Sequence, residues 1–395
     1  MTGAALIGTG FIGAVHLDAL RRLGIPVRGL LGSSPARGAE RAAAWGLPRA
    51  YATLEDLLAD PAVEVVHVTS PNRLHHPQVS AILRAGRHVV CEKPLAMDSA
   101  QSAELVDLAG RSGRIAALCH NIRFYPLNRH ARGLVAGGEI GPVRLMTGAY
   151  HQDWLSREED WNWRLDPSEG GGLRALGDIG THWIDLVCHL SGLWPEAIFA
   201  DLATLLPERL RPAGPVETFA RDRGGGERVR VRTEDVGLVL LRFPGGARGS
   251  LSVSQVSPGR KNAIRWEIAG AEATLAWEGE DPDRLWIGRR EGPSSLLLRD
   301  PSLLNAEGRA ATSLPGGHAE GFADSFRALF AAIYADIAAG RRSPAAAWAD
   351  FADGHRMMRL LDAAADSART GRWIDLAAGE PGRPPAQPRT ERRTP

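Results

Sequence analysis

Hydrophobic positions follow two different rhythms along the chain. Over the first 120 residues, short apolar runs at 4–8, 27–31, 63–69, 88–91 and 115–118 alternate with helical patterns. The helical stretches follow the turn after residue 8, begin again at Pro35, cover 73–85, and cover 98–111 with Asp98 as N-cap. Compact β-branched runs without polar alternation suit strands buried on both faces. Strands alternating with helices of this length predict a doubly wound parallel sheet, a Rossmann-type domain over residues 1–122.

After residue 150 the period shortens to two. Residues 236–243, the turn Pro244-Gly245-Gly246 and residues 249–256 have the pattern of a hairpin, and Leu251 and Val253 alternate with Ser250, Ser252 and Ser254. Ile264, Trp266 and Ile268 repeat that alternation. One face of such a sheet is buried and the other polar. The second domain, residues 123–376, is therefore expected to be an open, mainly antiparallel sheet with helices on one face. A last helix over 345–368, with Trp348, Phe351, Met358 and Leu361 at helical spacing, is placed to pack back on the first domain. Residues 207–232, rich in Pro, Gly and Arg, look like a surface insertion, and 377–395 like a disordered tail.

Composition narrows the class. With 395 residues, 44% hydrophobic and 24% charged, the chain is an ordinary globular protein of two-domain size. A net charge of +1, with no basic run before the tail, argues against nucleic acid as a partner. Three scattered cysteines without CxxC spacing suit reduced thiols in the cytoplasm. Neither a charged leader nor an apolar stretch of about 18 residues is present, so a membrane is not expected as a partner. Of the 47 basic residues, only Lys93 and Lys261 are lysine. A codon bias toward arginine explains the other 45, and a lysine that survives it is a candidate for chemistry that needs a compact ammonium.

The first candidate chemistry is Gly8-Thr9-Gly10-Phe11-Ile12-Gly13, a GxGxxG between a strand and a helix. Its glycines permit a tight turn and close approach of a pyrophosphate to a helix N-terminus. Where an acidic residue for a ribose hydroxyl is often found, the chain has Ser33, Ser34 and Arg37, which favours NADP over NAD. Thr69, Ser70, Asn72 and His75 follow the fourth strand at the carboxyl edge of the sheet, and Glu92-Lys93-Pro94 follows the fifth. Pro94 is a candidate for a cis bond that aims Lys93 into the cleft. Further on, Asp178, His182, Asp185 and His189 form a polar stripe on one helix, with Asp178 as its cap. A carboxylate one turn from an imidazole suits general-base work. A partly exposed helix face or a metal set are the competing readings of that stripe.

Together, Gly8-x-Gly10-x-x-Gly13, Glu92-Lys93-Pro94 and Asp178-Ile179-Gly180-x-His182-x-x-Asp185 resemble the Gfo/Idh/MocA family of NAD(P)-dependent oxidoreductases over about residues 3–376. The resemblance implies a Rossmann domain followed by an open sheet that often mediates dimers or tetramers. It also implies that Lys93, Asp178 and His182 form the catalytic group on a sugar or cyclitol, without metal. In that role His182 exchanges the hydroxyl proton, Asp178 orients it, and Lys93 stabilises developing alkoxide charge. The insertion at 207–232 departs from the family's shorter members.

His151-Gln152-Asp153-Trp154 and Trp161-Asn162-Trp163-Arg164 suit a carbohydrate site, with indole faces for C–H faces and polar groups for hydroxyls. Within this region, Gln152 and Trp154 are assigned to substrate, Trp163 and Arg164 to cofactor. Asn121, Arg123 and Tyr125 fall where the domains meet, Asn121 toward cofactor and the other two toward substrate. His318, after Gly316-Gly317, lies in a second loop expected to close over the cleft. A catalytically silent cofactor-binding regulator and a cofactor-recycling enzyme acting on glycosides are the rival functions.

Overall fold

The computed structural model describes residues 2–214 and 226–376. Its first layer runs β1 (Ala4–Ile7), α1 (Phe11–Arg22), β2 (Val27–Leu31), α2 (Pro35–Ala44), β3 (Ala50–Tyr51), α3 (Leu54–Ala59), β4 (Val65–Val68), α4 (His75–Arg84), β5 (His88–Cys91), α5 (Ser99–Ser112) and β6 (Ala116–Leu118). These strands form a parallel sheet ordered β3-β2-β1-β4-β5-β6. Every residue of β1 and β4 is buried, as their unbroken apolar runs require. Asp98 caps α5 by accepting from the Gln101 N–H at 2.8 Å.

The chain continues through α6 (Pro126–Ala136), β7 (Val143–His151), α7 (Pro167–Gly170), α8 (Thr181–Ser191), β8 (Ala197–Ala203), β9 (Glu208–Pro212), β10 (Gly226–Arg230), β11 (Val236–Arg242) and β12 (Arg248–Ser254). It then forms β13 (Ala263–Gly270), β14 (Ala273–Glu278), β15 (Arg284–Arg289), β16 (Ser295–Leu298), α9 (Ala306–Ala311), α10 (Phe322–Ala338), β17 (Ala349–Asp350), α11 (Phe351–Thr370) and β18 (Ile374–Asp375). Nine strands make the second sheet, ordered β16-β15-β14-β13-β7-β12-β11-β8-β18. All its pairs are antiparallel except β7 with β12. Helix α8 packs against β7 where Gly148 leaves room. A Cβ there would lie 2.3 Å from Trp183 Nε1, which instead donates to the Arg265 carbonyl at 2.9 Å.

Three expectations need correction or extension. The final helix starts at Phe351, not 345, because Asp350 and Asp353 cap it reciprocally and the preceding Ala349–Asp350 pairs antiparallel with β6. Helix α10 also returns to the first layer, where Phe322 stacks on Phe11 at 6.3 Å. The insertion is not merely irregular surface, since β9 and β10 pair antiparallel and Arg209 within it is fully buried. Residues 215–225 of that insertion, and the 377–395 expected to be disordered, lie outside the described residues. Cys91, Cys119 and Cys188 are buried free thiols. Among the described residues no helix is long and apolar enough to cross a membrane.

Candidate active site

The glycine turn has the shape of a dinucleotide cradle. Gly8 sits at φ +112° with Thr69 so close that a Cβ would lie 2.7 Å from its carbonyl oxygen. A Cβ on Gly13 would lie 2.7 Å from the Gly8 carbonyl, so helix and strand pack without side chains between them. At Gly10 a Cβ would meet open space, and no side chain caps the N-terminus of α1. That combination fits a pyrophosphate. Thr9 and Ile12 flank this turn, half-buried, while Phe11 is exposed. At the end of β2, Ser33 and Arg37 are at the surface, but Ser34 Oγ accepts from the Arg37 N–H at 3.2 Å and so caps α2.

Several residues expected to touch cofactor are already committed elsewhere. Thr69 Oγ1 donates to the Ile7 carbonyl, and Ser70 Oγ to Gln78 Oε1. His75 is buried between the carbonyls of Pro94 and Ser70, at 2.7 and 2.9 Å, and braces the Lys93–Pro94 turn, whose peptide is cis. Asn72 donates to the Gly170 carbonyl at 2.8 Å, tying the Rossmann edge to the second domain. Asn121 donates to Ser325 Oγ on α10. The Glu92 carboxylate points into the core at His16 Nε2, 3.0 Å away. Burial alone would raise its pKa, but the His16 hydrogen bond and the nearby charges hold it lower. A buried polar side chain at a strand edge needs a partner, and these take theirs from the protein.

Lys93 is held differently. Its ammonium donates to the Asp178 carbonyl at 2.7 Å and to Asp178 Oδ1 at 2.8 Å. Asp178 also receives Arg164 Nε on Oδ1 at 3.1 Å and Gln255 Nε2 on Oδ2 at 2.9 Å. Arg164 itself lies over the Trp163 ring at 4.3 Å. Burial works to raise the Asp178 pKa, but the Arg164 and Lys93 cations outweigh it and keep the carboxyl well below the usual range.

The expected pairing of Asp178 with His182 is not formed. Asp178 does not cap α8 but lies inside a single π-type turn, Leu176–Gly180, that leads into it. Such a turn breaks the angular spacing on which the stripe was built. His182 Nδ1 is buried without a hydrogen-bond partner, and the ring meets His120 edge-on at 5.7 Å. Burial, then the Lys93 and His120 charges, push the His182 pKa well down, with Asp178 opposing. The neutral imidazole is the result.

The other end of the stripe belongs to the interior. Asp185 takes a two-pronged ion pair from Arg123, at 2.7 and 2.5 Å, and Arg123 Nη1 donates to the Ala347 carbonyl. Arg123 is therefore a structural cation rather than a substrate ligand. His189 Nε2 accepts from Arg129 Nη1 at 3.3 Å. Asp178, His182, Asp185 and His189 thus do not converge as metal ligands. Among the described residues, the grouping with ligand atoms within 4.8 Å of one another is His16, Glu92 and Cys119, where His16 and Glu92 already pair.

On the substrate side, Gln152 and Tyr150 both donate to Asn262 Oδ1, and Trp154 Nε1 donates to Gln152 Oε1. Tyr125 is buried, with its ring edge-on to Trp277 at 5.2 Å in the core of the second domain. His318 is exposed in the loop after Gly317, with Nδ1 turned to the Gly316 carbonyl. Sequence reasoning missed Gln255, Arg174 and His120. His120 was within reach of the strand-edge rule, because it lies two residues past the end of β6; nothing in the local pattern marks Gln255 or Arg174.

Comparisons with known proteins place the chain in a family. Residues 2–120 match the model of the oxidoreductase family with an NAD-binding Rossmann fold, and residues 128–276 match the GFO/IDH/MocA C-terminal domain. Levoglucosan dehydrogenase of Pseudarthrobacter phenanthrenivorans is 30% identical over 388 residues, covering 94% of this chain and 97% of that protein. The scyllo-inositol 2-dehydrogenase (NADP+) of Bacillus subtilis is 26% identical, with 82% of each chain covered. A solved levoglucosan dehydrogenase in complex with NADH and levoglucosan superposes with a TM-score of 0.85 at 27% identity, covering 95% of this chain and 99% of that one. With its glycine cradle, its Glu92-Lys93-Pro94 turn and the Lys93–Asp178 pair, the chain belongs to the Gfo/Idh/MocA oxidoreductases.

Proposed function

We propose that this enzyme interconverts a hydroxyl-bearing carbon and its ketone in a sugar, anhydrosugar, glycoside or cyclitol, using NAD or NADP. The observation that carries the reading is the Lys93 ammonium, fixed by two donations to Asp178, at the same carboxyl edge of the parallel sheet as the glycine turn. A bound nicotinamide supplies the hydride exchange. An ammonium has three N–H donors, so one remains for the reacting oxygen after Asp178 has taken two. Asp178 keeps that donor aimed, and Arg164 with Gln255 keeps Asp178 in place. A neutral His182 can accept the hydroxyl proton during oxidation and return it during reduction. Trp154 and Trp161 supply ring faces for the sugar's C–H groups.

An assay offering levoglucosan, free pyranoses and inositols with NAD and with NADP, read by nicotinamide absorbance, tests the proposal. Turnover with at least one pyranose or cyclitol is expected; none across the panel, with cofactor demonstrably bound, rejects it. Ser33 and Arg37 support tighter binding of NADP. A fluorescence titration showing a clear NAD preference would overturn that part alone.

The enzyme is further proposed to assemble as a dimer or tetramer through the outer face of the nine-stranded sheet. Leu238 and Leu240 on β11 are 53% and 47% exposed there, and Leu296 and Leu298 on the edge strand β16 are 52% and 56% exposed. Apolar side chains on an uncovered sheet suit an interface. Light scattering giving the monomer mass of 42.4 kDa would reject it.

A further inference from the structure

The insertion that departs from the family's shorter members reaches the site through one buried side chain. Arg209, in β9, is fully buried. Its Nη1 donates to the carbonyls of Leu155, Arg157 and Asp160, at 2.8, 2.9 and 3.3 Å. Three carbonyls from one short stretch on one guanidinium define the path of the loop between Trp154 and Trp161. The backbone adds to this, since the Leu210 N–H donates to the Glu158 carbonyl at 2.9 Å. Val231, at the far end of the insertion, packs with Leu155 and Leu165 beneath Trp154 and Trp161.

A second branch leads from Arg209 to the reacting centre. Its Nη2 donates to Asp235 Oδ1 at 2.7 Å, and Arg174 Nη2 donates to the same oxygen. Arg174 Nη1 donates to Gln255 Oε1 at 3.3 Å, and Gln255 Nε2 donates to Asp178 Oδ2 at 2.9 Å. Asp235 Oδ2 is filled by the N–H groups of Leu205 and Leu206, so that carboxylate has no freedom to turn. Arg209, Asp235, Arg174 and Gln255 are all at most 2% exposed. Away from water, a hydrogen-bonded chain of this kind is stiff, because each break leaves a buried polar group unpaired.

We propose that the β9–β10 hairpin is a specificity-determining brace for the substrate side of the site. Arg209 is its positioning residue. It sets the Trp154–Trp161 wall and holds that wall in register with Asp178 through Asp235, Arg174 and Gln255. The proposal rests on the reading of Trp154 and Trp161 as the sugar wall. Displacement of a wall by about 1 Å is enough to lower turnover of a bound substrate by up to a hundredfold.

The test uses the full-length enzyme with Arg209→Met and Val231→Ala. Arg209→Met leaves Asp235 paired one-to-one with Arg174, and Val231→Ala removes only packing under the wall. In both, amide hydrogen exchange over residues 155–161 should quicken relative to the rest of the second domain. With whichever pyranose of the panel above the wild type turns over, Arg209→Met should raise the sugar KM about tenfold, leaving cofactor affinity within about twofold. Arg211→Ala, which breaks only the surface pair with Glu227 on the same hairpin, should change neither. Unchanged exchange over 155–161 in folded Arg209→Met overturns the brace; if that variant does not fold, unchanged exchange in Val231→Ala does so. Faster exchange with an unchanged sugar KM also overturns it as a specificity element. Lys93→Met separates the two claims. If it abolishes turnover while the hairpin variants leave sugar KM alone, the site reading stands and the brace falls. If Lys93→Met keeps wild-type turnover, the site reading is what failed, and the exchange data still decide whether the hairpin braces the loop.

Discussion

Two carboxylates on one stretch of sequence, Asp178 and Asp185, have opposite fates. Asp178 lies at the entry to α8 and takes donors from Lys93, Arg164 and Gln255. Asp185 lies deeper on the same helix and takes the Arg123 fork, both groups nearly enclosed. The cations explain the difference. Arg123 spends Nε and Nη2 on Asp185 and Nη1 on the Ala347 carbonyl. Lys93 spends two donors on Asp178 and has a third to offer. A guanidinium fork matched to both oxygens of one interior carboxylate is a structural device; a compact ammonium held by part of its donors at the edge of the sheet is a chemical one.

That contrast is open to direct attack. The largest effect is expected from Asp185→Asn, which leaves Arg123 buried with Asp353, 3.6 Å away, as its remaining carboxylate. Denaturant unfolding should show a loss of about 3–5 kcal/mol, while the folded fraction keeps most of its kcat. Asp178→Asn and Lys93→Arg should do the reverse, lowering kcat about a hundredfold or more with cofactor still bound. In Lys93→Arg the broader guanidinium cannot satisfy the Asp178 carbonyl and carboxylate in the same space and still present a donor to the substrate. Near-wild-type turnover in Lys93→Arg, or a collapse of kcat in stable Asp185→Asn, would erase the distinction.

The smallest effect is one of pH. His120 and His182 are kept neutral in the fold by burial, which lowers their pKa from the usual 6.5. The unfolded chain therefore binds more protons as pH falls below 6.5, and stability is lost from there down to the folded pKa values. The Asp178 carboxyl, lowered from 3.8, contributes nothing to this change until far more acid conditions. Unfolding curves at about pH 7.5, 6 and 5 should show stability falling steadily. A flat profile would mean that these imidazoles are charged in the native state.

Much of the fold was legible because burial patterns are local. The period of two in β11 to β13 and the apolar runs of β1, β4 and β5 identify their sheets before any contact is known. Among the site residues, Gly8, Gly10, Gly13 and Lys93 were legible for a similar reason. A tight turn at a strand end and a lysine in an arginine-biased chain are marks carried by the residues themselves. The final helix was misplaced at its start because Trp348 continues its apolar spacing, although the side chain lies in the core of the first layer.

By itself, then, the sequence determined the order of the two domains and marked the glycine turn and Lys93 as candidates. Only the tertiary structure decided that Asp178 pairs with Lys93 rather than His182, that Arg123, His75 and Asn121 take partners from the protein, and that Gln255 and Arg209 join one hydrogen-bonded chain to Asp178. The reason is physical. A polar group's role depends on which donors and acceptors surround it once water has been removed, and here such a partner can come from 267 residues away, as in the buried His67–Tyr334 contact that ties β4 to α10. No periodicity along the chain records such a meeting.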